Sequence, residues 1–79
     1  MPVLKKSELD LFIIGRVKKM REDRKISQAV LATQLNVSDA FIGQIENPNS
    51  RSKYNIYHLN ELAKIFNCSI KDFIPDDPI

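Results

Sequence analysis

Two short helical segments separated by a three-residue interruption constrain the fold of this chain more than any other feature. Residues 28–35 and 39–46 each carry apolar side chains at spacings that face one side of a helix. These side chains are Leu31, Ala32 and Leu35 in the first segment and Phe41, Ile42 and Ile45 in the second. Between the segments, Asn36 tolerates the left-handed conformation in which helices end, and Ser38 is a favourable N-cap. Helices this short are unstable alone, so we expect the two to cross closely at the small Ala32.

A longer amphipathic helix is predicted before this pair. It begins after Ser7, an N-cap followed by acidic residues in the first turn, and it runs to about Arg24. Its core stripe follows spacings of three and four residues and consists of Leu9, Phe12, Ile13, Val17 and Met20. Leu11 and Ile14 lie off that stripe, so they need another partner, either the C-terminal helix of the same molecule or a second copy. The candidates for a contact between two copies are Leu11, Ile14, Phe73, Ile74 and Ile79.

Two further helices are predicted after the pair, which makes the fold class all-α and compact, with five helices. The fourth helix spans about residues 55–67, and its inward side chains are Ile56, Leu59, Leu62, Ala63 and Phe66. Ser69 caps a fifth helix over residues 70–74, which Pro75 ends. The 79 residues are long enough for one domain, 1–79, with a small core. Its ends, residues 1–7 and 75–79, are expected to be flexible.

Composition excludes several classes of function. No stretch approaches the roughly 18–20 apolar residues that span a bilayer, and the N-terminus lacks the features of a secretory signal, so no membrane partner is expected. The single cysteine, Cys68, cannot form an intramolecular disulfide, which favours a cytoplasmic location. His58 and Cys68 are the only soft metal ligands, whereas a structural zinc site needs four, so no metal or cofactor is expected. Without a glycine-rich phosphate loop or a nucleophile–base pair, we expect neither an enzyme nor a small-molecule substrate.

Positive charge is concentrated in the first half of the chain, although the net charge is only +2. Residues 1–35 contain eight Lys and Arg against four Asp and Glu, whereas residues 36–79 contain four against six. The densest run is residues 16–21, followed by Arg24 and Lys25. Such a run is either a solvated helix face or a phosphate-binding surface, and the sequence leaves both alternatives open.

The central pair contains an ordered set of residues at fixed spacing. The set consists of Ser27, Gln28, Leu31, Ala32, Leu35, Asn36, Val37, Ser38, Ile42, Ile45 and Glu46. It resembles the lambda-repressor-like helix-turn-helix family, of the Cro/CI or Xre type, and the similarity extends over roughly residues 13–74. The resemblance implies that the second helix of the pair enters the major groove of DNA. It also implies a partly buried ion pair between Arg21 and Glu46.

The outer face of this second helix contains residues that could contact bases. Because Ile42 and Ile45 turn inward, the residues on or near the outer face are Asp39, Ala40, Gly43 and Gln44. The resemblance implies base contacts for the early and late positions, where Gln44 could bind adenine, Asp39 could accept from cytosine and Ala40 could contact a thymine methyl group. The residues expected along the DNA backbone are Gln28, Ser38, Phe41, Asn47, Asn49, Ser50, Arg51 and Lys53.

These features predict a sequence-specific double-stranded DNA-binding protein, a small transcriptional regulator that forms a homodimer at least on DNA. The alternative is a protein-interaction module, such as an antitoxin or accessory factor, on the same scaffold. Three departures from the family pattern keep it open: the second helix lacks Lys and Arg, it contains a glycine, and the loop 47–53 is about two residues longer, with Pro48 replacing the usual glycine. A continuous basic groove from Gln28 past Gln44 to Lys53 would favour DNA, whereas an acidic or apolar face would favour a protein partner.

Overall fold

Four α-helices and one short 3-10 turn make up the fold that the computed structural model describes for residues 6–79. The helices are α1 (Glu8–Asp23), α2 (Gln28–Leu35), α3 (Asp39–Glu46) and α4 (Ile56–Phe66), and the 3-10 turn is Ile70–Phe73. These residues contain no strand, so the predicted all-helical fold is confirmed. None of the described helices is long and apolar enough to cross a bilayer. Residues 1–5, part of the N-terminal end predicted to be flexible, lie outside the described residues.

The fifth predicted helix, over residues 70–74, is a single 3-10 turn over Ile70–Phe73 and not an α-helix, so the predicted count of five helices is one too high. Ser69 caps the turn as predicted, with its hydroxyl accepting a backbone N–H. The segment has room only for short-range hydrogen bonds, because Ile74 is already extended and Pro75, which lacks an N–H, follows it. The last residues of the chain lie beside Phe12 and Arg16 of α1 and line an open groove with them.

Short polar residues determine where the helices begin and end. The Ser7 hydroxyl accepts the Asp10 N–H and the Asp10 carboxylate accepts the Ser7 N–H, both at 3.0 Å, which forms a capping box at the start of α1. Ser27 caps α2 in the same way through its hydroxyl. Asn36 and Asn67 end α2 and α4 in the left-handed conformation, which the sequence predicts for Asn36.

A hydrophobic core lies where these elements meet. Helix α2 packs against α3 and α4, while α1 packs against α3 and the 3-10 turn, which also contacts α4. The largest fully buried side chains are Val17, Leu31, Ile42, Ile45, Leu62 and Phe73. They come from all five elements, so the core is complete only when all five assemble.

The buried face of α1 is rotated from the predicted stripe. Ile14, Val17 and Arg21 are buried at successive spacings of three and four, whereas Leu9 is 43% exposed. Ile14, which was expected off the predicted stripe, is therefore buried within one molecule, whereas Leu11 is 47% exposed. The expected face was derived from the spacing of apolar residues alone. It therefore left out Arg21, a charged residue that is buried with a partner.

Helix α4 buries all but one of its predicted core residues. The buried residues are Leu59, Leu62, Ala63 and Phe66. Ile56, also predicted to face inward, is instead 58% exposed. Side chains in a helix tilt towards its N-terminus, so a residue in the first turn projects beyond the core that the later turns cover.

Arg21 reaches from α1 to the C-terminal end of α3, where it forms a bidentate ion pair with Glu46. Its Nε and Nη2 each lie 2.9 Å from a carboxylate oxygen, and its Nη1 donates to the Ile26 carbonyl at 2.8 Å. Only 10% of the Arg21 side chain and 4% of the Glu46 side chain are exposed. These are the two residues that the family resemblance pairs. A carboxylate at the C-terminal end of a helix opposes the helix dipole, and the guanidinium compensates for that cost.

Removing the arginine should strongly destabilise the fold. We expect Arg21→Met to lower the free energy of unfolding by about 3–5 kcal/mol, because the Glu46 carboxylate stays buried without its partner. Lys64→Met is the control: it removes an exposed pair with Glu61 and should change that free energy by less than about 1 kcal/mol. Urea unfolding followed by circular dichroism measures both. Equal losses in the two variants would contradict the role given to the buried pair.

Helix α4 begins with a capping box that uses a histidine. The Asn55 side chain accepts the His58 N–H at 2.9 Å, and His58 Nδ1 accepts the Asn55 N–H at 3.0 Å. The imidazole ring is half-buried beside Phe41 and Tyr54, with ring centroids 5.4 and 6.0 Å apart. Only an unprotonated Nδ1 can accept this hydrogen bond. Desolvation lowers the pKa of His58 below its ordinary value.

Acidification should destabilise the protein through this histidine. Because the pKa of His58 is lower in the folded chain, its contribution to stability is present above the unfolded value of about 6.5 and is lost as the pH falls through the folded value. In His58→Gln an amide oxygen can replace Nδ1 without titrating. We therefore expect the stability advantage of the wild type over His58→Gln to shrink between about pH 7 and pH 5. Chemical denaturation across that range checks this, and a constant difference would contradict it.

Candidate nucleic-acid interface

The turn between α2 and α3 determines how α3 is presented. Asn36 ends α2 with φ at 61°, and the Val37 N–H donates to the Ala32 carbonyl at 2.9 Å. Ser38 is extended and precedes α3, although its side chain accepts no capping hydrogen bond from the described residues. The chain therefore changes direction within three residues, and α3 packs against α2.

Helix α3 has one buried apolar face and one polar outer face. Ile42 and Ile45 are fully buried. The residues expected to contact bases are the exposed Asp39, Ala40 and Gln44 and the half-buried Gly43. Helix α3, which is described in full, contains no cation, and its second acidic residue, Glu46, is paired with Arg21. The outer face is therefore polar and nearly neutral, with Asp39 as its exposed charge.

Gln28, which was expected to hold a phosphate, makes an intramolecular hydrogen bond. Its Nε2 donates to Glu46 Oε1 at 2.9 Å, which adds a donor to the ion-paired carboxylate. Its Oε1 would lie 3.4 Å from a Cβ placed on Gly43, which is ordinary van der Waals contact. The approach of α2 to α3 therefore tolerates a methyl group at position 43 and does not by itself require the glycine.

Polar contacts shape the loop that joins α3 to α4. The Asn47 side chain accepts the Asn49 N–H at 2.9 Å, and the Ser50 hydroxyl accepts the Ser52 N–H at 3.2 Å. The Ser52 hydroxyl donates to Gln44 Oε1 at 3.5 Å, which connects the loop to the outer face of α3. Three residues expected along the DNA backbone thus also determine the conformation of this α3–α4 loop.

The two cations of the α3–α4 loop have different surroundings. Arg51 is exposed. Lys53 Nζ lies 3.3 Å from Asp10 Oδ2, so this lysine is paired with the first turn of α1. Desolvation raises the pKa of Asp10, but the hydrogen bonds from Ser7 and Lys53 outweigh it and hold that pKa below its ordinary value. A phosphate would therefore have to compete with Asp10 for Lys53.

Phe41 and Arg24, which follows the basic run of residues 16–21, make contacts within the fold. Phe41, expected along the DNA backbone, is half-buried against His58 and joins α3 to α4. Arg24 Nη2 donates to the Phe66 carbonyl at 3.0 Å, with its guanidinium 4.9 Å from the Phe66 ring centroid. This arginine therefore interacts with the end of α4. Along α3 itself, no Lys or Arg is present to form a continuous basic groove.

Sequence reasoning missed two residues of this region, Lys6 and His58. Lys6 is 5% exposed and donates to the carbonyls of Gln44 and Asn47 at the end of α3. No periodicity marks a contact between residues so far apart, and the available signal is the absence of a basic residue in the last turn of α3. For His58 the signal is its position three residues after Asn55, the spacing of a capping box.

Comparison with known proteins agrees with this geometry. The family model of the Cro/C1-type HTH DNA-binding domain matches residues 16–78. Among solved structures, the chain is similar to an HTH_3 family transcriptional regulator from Vibrio cholerae, with 29% sequence identity and a TM-score of 0.69. The match covers 82% of this chain and 35% of that regulator, so this chain spans about a third of its length. No curated protein matches the chain. On the family match, the chain belongs to the Cro/C1-type helix-turn-helix family of DNA-binding domains.

Proposed function

We propose that this chain binds double-stranded DNA sequence-specifically, as a small transcriptional regulator, with α3 in the major groove. The observation that supports this most is the polar outer face of α3, which two buried isoleucines and the ion pair at Glu46 hold in a fixed orientation. The major groove admits one α-helix, and side chains on its outer face reach base edges. The single Cys68 and a DNA target both favour action in the cytoplasm.

Gln44 is the residue best suited to discriminate bases. It is exposed on the outer face, and its Oε1 lies 3.5 Å from the Ser52 hydroxyl of the adjoining loop. A glutamine pairs with adenine through N6 and N7. Asp39 would accept a hydrogen bond from cytosine N4, and Ala40 would contact a thymine methyl group. Gly43, which has no side chain, would leave its backbone close to the bases. Guanine is read mainly by arginine and lysine, which α3 lacks. The preferred site should therefore place adenine, rather than guanine, opposite Gln44.

Contacts with the DNA backbone would use neutral residues more than cations. The proposed residues are Gln28, Ser38, Phe41, Asn47, Asn49, Ser50, Arg51 and Lys53. Each phosphate that a cation neutralises contributes about 0.9 to the slope of log affinity against log salt. Because Arg51 and Lys53 are the only cations among these residues, the salt dependence should be small for a DNA-binding protein.

Gln44→Ala and Arg51→Ala should weaken DNA binding in different ways. Gln44→Ala should cost about 1–3 kcal/mol on the preferred site and relax the preference at one base pair. Arg51→Ala should weaken binding to all sequences alike and lower the salt slope by about one unit. Lys53→Ala should lower the slope by less, because its ammonium is already paired with Asp10. Fluorescence anisotropy at several salt concentrations, with matched and mismatched duplexes, measures all three.

Gln34 offers a matched control for Gln44. It is an exposed glutamine on α2 outside the proposed contacts, so Gln34→Ala should bind like the wild type. If the wild type showed no salt-sensitive binding to duplex DNA, the proposed function would be wrong and the protein-interaction alternative would be favoured.

A homodimer on DNA is the second part of the proposal. One short helix contacts only a few base pairs, which is too few to distinguish one DNA site from roughly a million competing sites. Two copies related by a two-fold axis would place their α3 helices about 34–36 Å apart, one turn of DNA. The exposed apolar residues available for the contact are Leu9, Leu11, Ile74 and Ile79. Ile14 and Phe73 are not available, because both are buried in the core of one molecule.

Stoichiometry on the preferred site tests the dimer. We expect two chains per site at saturation, on a near-palindromic sequence, with Leu11→Gln weakening the cooperative binding of the second copy. Val30→Gln, which changes an exposed apolar residue of α2 outside the proposed contact, should leave cooperativity unchanged. Analytical ultracentrifugation of the protein–DNA complex measures the number of chains. One chain bound to a non-palindromic site at saturation would rule the dimer out.

A further inference from the structure

Lys6 is bound to the C-terminal end of α3, far from its own position in the chain. Its Nζ donates to the Gln44 carbonyl at 3.4 Å and to the Asn47 carbonyl, across 38 and 41 residues of sequence. Only 5% of this lysine is exposed, although lysine is rarely buried without a partner. Its ammonium group is therefore used inside the protein, at the point where α3 ends and the α3–α4 loop begins.

The C-terminal end of α3 needs a cation from elsewhere in the chain. The last carbonyls of a helix lack partners within it and carry the negative end of the helix dipole. Helix α3 has no basic residue in its last turn, and the guanidinium of Arg21 is occupied by the Glu46 side chain. Lys6 supplies the missing charge to the carbonyls themselves.

The two carbonyls belong to residues that organise the proposed interface. Gln44 is the proposed base-reading residue, and its side chain is hydrogen-bonded to Ser52 of the loop. Asn47 begins the loop, and its carbonyl also accepts the Ser50 N–H at 3.1 Å. Through these two residues, Lys6 fixes the position of the loop relative to the outer face of α3.

A second contact holds the same loop to the same end of α1. Ser7, the residue after Lys6, forms the capping box with Asp10, and the Asp10 carboxylate also accepts a hydrogen bond from Lys53. The segment from Lys6 to Asp10 therefore contacts the loop at its start, Asn47, and near its end, Lys53.

We propose that Lys6 is a positioning residue for DNA recognition. Its ammonium group holds the end of α3 and the start of the loop in the arrangement in which Gln44 meets a base while the loop meets phosphates. Lys6 acts through the two carbonyls and contacts neither bases nor phosphates. Without it, both carbonyls lose a charged donor and keep one backbone N–H each, from Asn47 and Ser50, so the loop is held less firmly relative to α3. This inference rests on the proposed DNA binding and deepens it.

Two other roles for this lysine make different predictions. A lysine that contacts phosphate releases a counterion, so its loss lowers the salt slope by about 0.9. A lysine that only stabilises the fold lowers the free energy of unfolding but leaves the discrimination between DNA sites unchanged. A positioning lysine lowers that discrimination and leaves the salt slope unchanged.

Lys6→Met, which keeps the apolar part of the side chain, tests the inference in the full chain. We expect the affinity ratio between the preferred site and a duplex mismatched at the base pair that Gln44 reads to fall about tenfold, the value of one base contact, at an unchanged salt slope. Lys6→Arg retains a cationic donor and should restore most of the ratio. Lys71→Met, which removes an exposed lysine of the 3-10 turn, should behave like the wild type.

Each other outcome overturns a stated part of the proposal. An unchanged affinity ratio in folded Lys6→Met overturns the positioning role, and an unchanged ratio with a slope lower by about one unit assigns a phosphate contact instead. If Lys6→Met does not fold, Lys6→Gln, which keeps a neutral donor, takes its place with the same expected loss of discrimination. Failure of the wild type to bind duplex DNA overturns the proposed function and this inference with it, whereas binding by the wild type with an unchanged ratio in the variants overturns this inference alone.

Hydrogen exchange tests the contact without DNA. The Ser50 amide is hydrogen-bonded to the Asn47 carbonyl that Lys6 holds. We expect this amide to exchange about tenfold faster in Lys6→Met, because the loop opens locally more often, while the Leu62 amide in the core of α4 changes only as far as global stability does. Equal effects on the two amides would overturn the local role of Lys6.

Discussion

The bidentate pair between Arg21 and Glu46 is the interaction on which the presentation of α3 depends. An eight-residue helix is too short to be stable alone, and a glutamate in its last turn adds an unfavourable interaction with the helix dipole. The guanidinium of Arg21 compensates for that interaction and connects α1 to α3. Both partners are almost fully buried. The same arginine also binds the Ile26 carbonyl just before α2. One side chain therefore fixes the two helices of the turn relative to α1.

Other polar side chains converge on the same end of α3. Gln28, from the first turn of α2, donates to the ion-paired carboxylate, and Lys6, from before α1, donates to the terminal carbonyls. The buried groups among them, Lys6 and the Glu46 carboxylate, stabilise the fold only when their partners are present, so these contacts favour one arrangement over near alternatives. The C-terminal end of α3 is thus held from three directions, while the earlier turns leave their outer face to solvent.

How much of this the sequence predicts depends on the range of the interaction. The α2–turn–α3 unit follows from local signals, namely the apolar spacing, Asn36 and the cap at Ser27. The predicted buried face of α1 differs from the observed one because Arg21, which lies on the observed face, is charged. Only the family resemblance indicated its partner. The contact of Lys6 was missed, because its one signal, the absence of a basic residue in the last turn of α3, lies 38 residues away in the sequence. Local chemistry therefore predicts the helices, whereas long-range polar contacts decide how they are held.

The scarcity of positive charge on α3 and the α3–α4 loop gives these internal contacts a functional consequence under the proposed DNA binding. Non-specific affinity comes mainly from counterions released by lysine and arginine. In the described chain, Lys6 is buried at α3, and of the two exposed cations of the loop, Lys53 is paired with Asp10 whereas Arg51 is in none of the ion pairs. A weakly basic interface binds all duplexes less tightly, so base contacts must supply a larger share of the affinity for the preferred site. Those contacts require a rigid base-reading helix, because a shifted α3 would lose them with little charge to compensate.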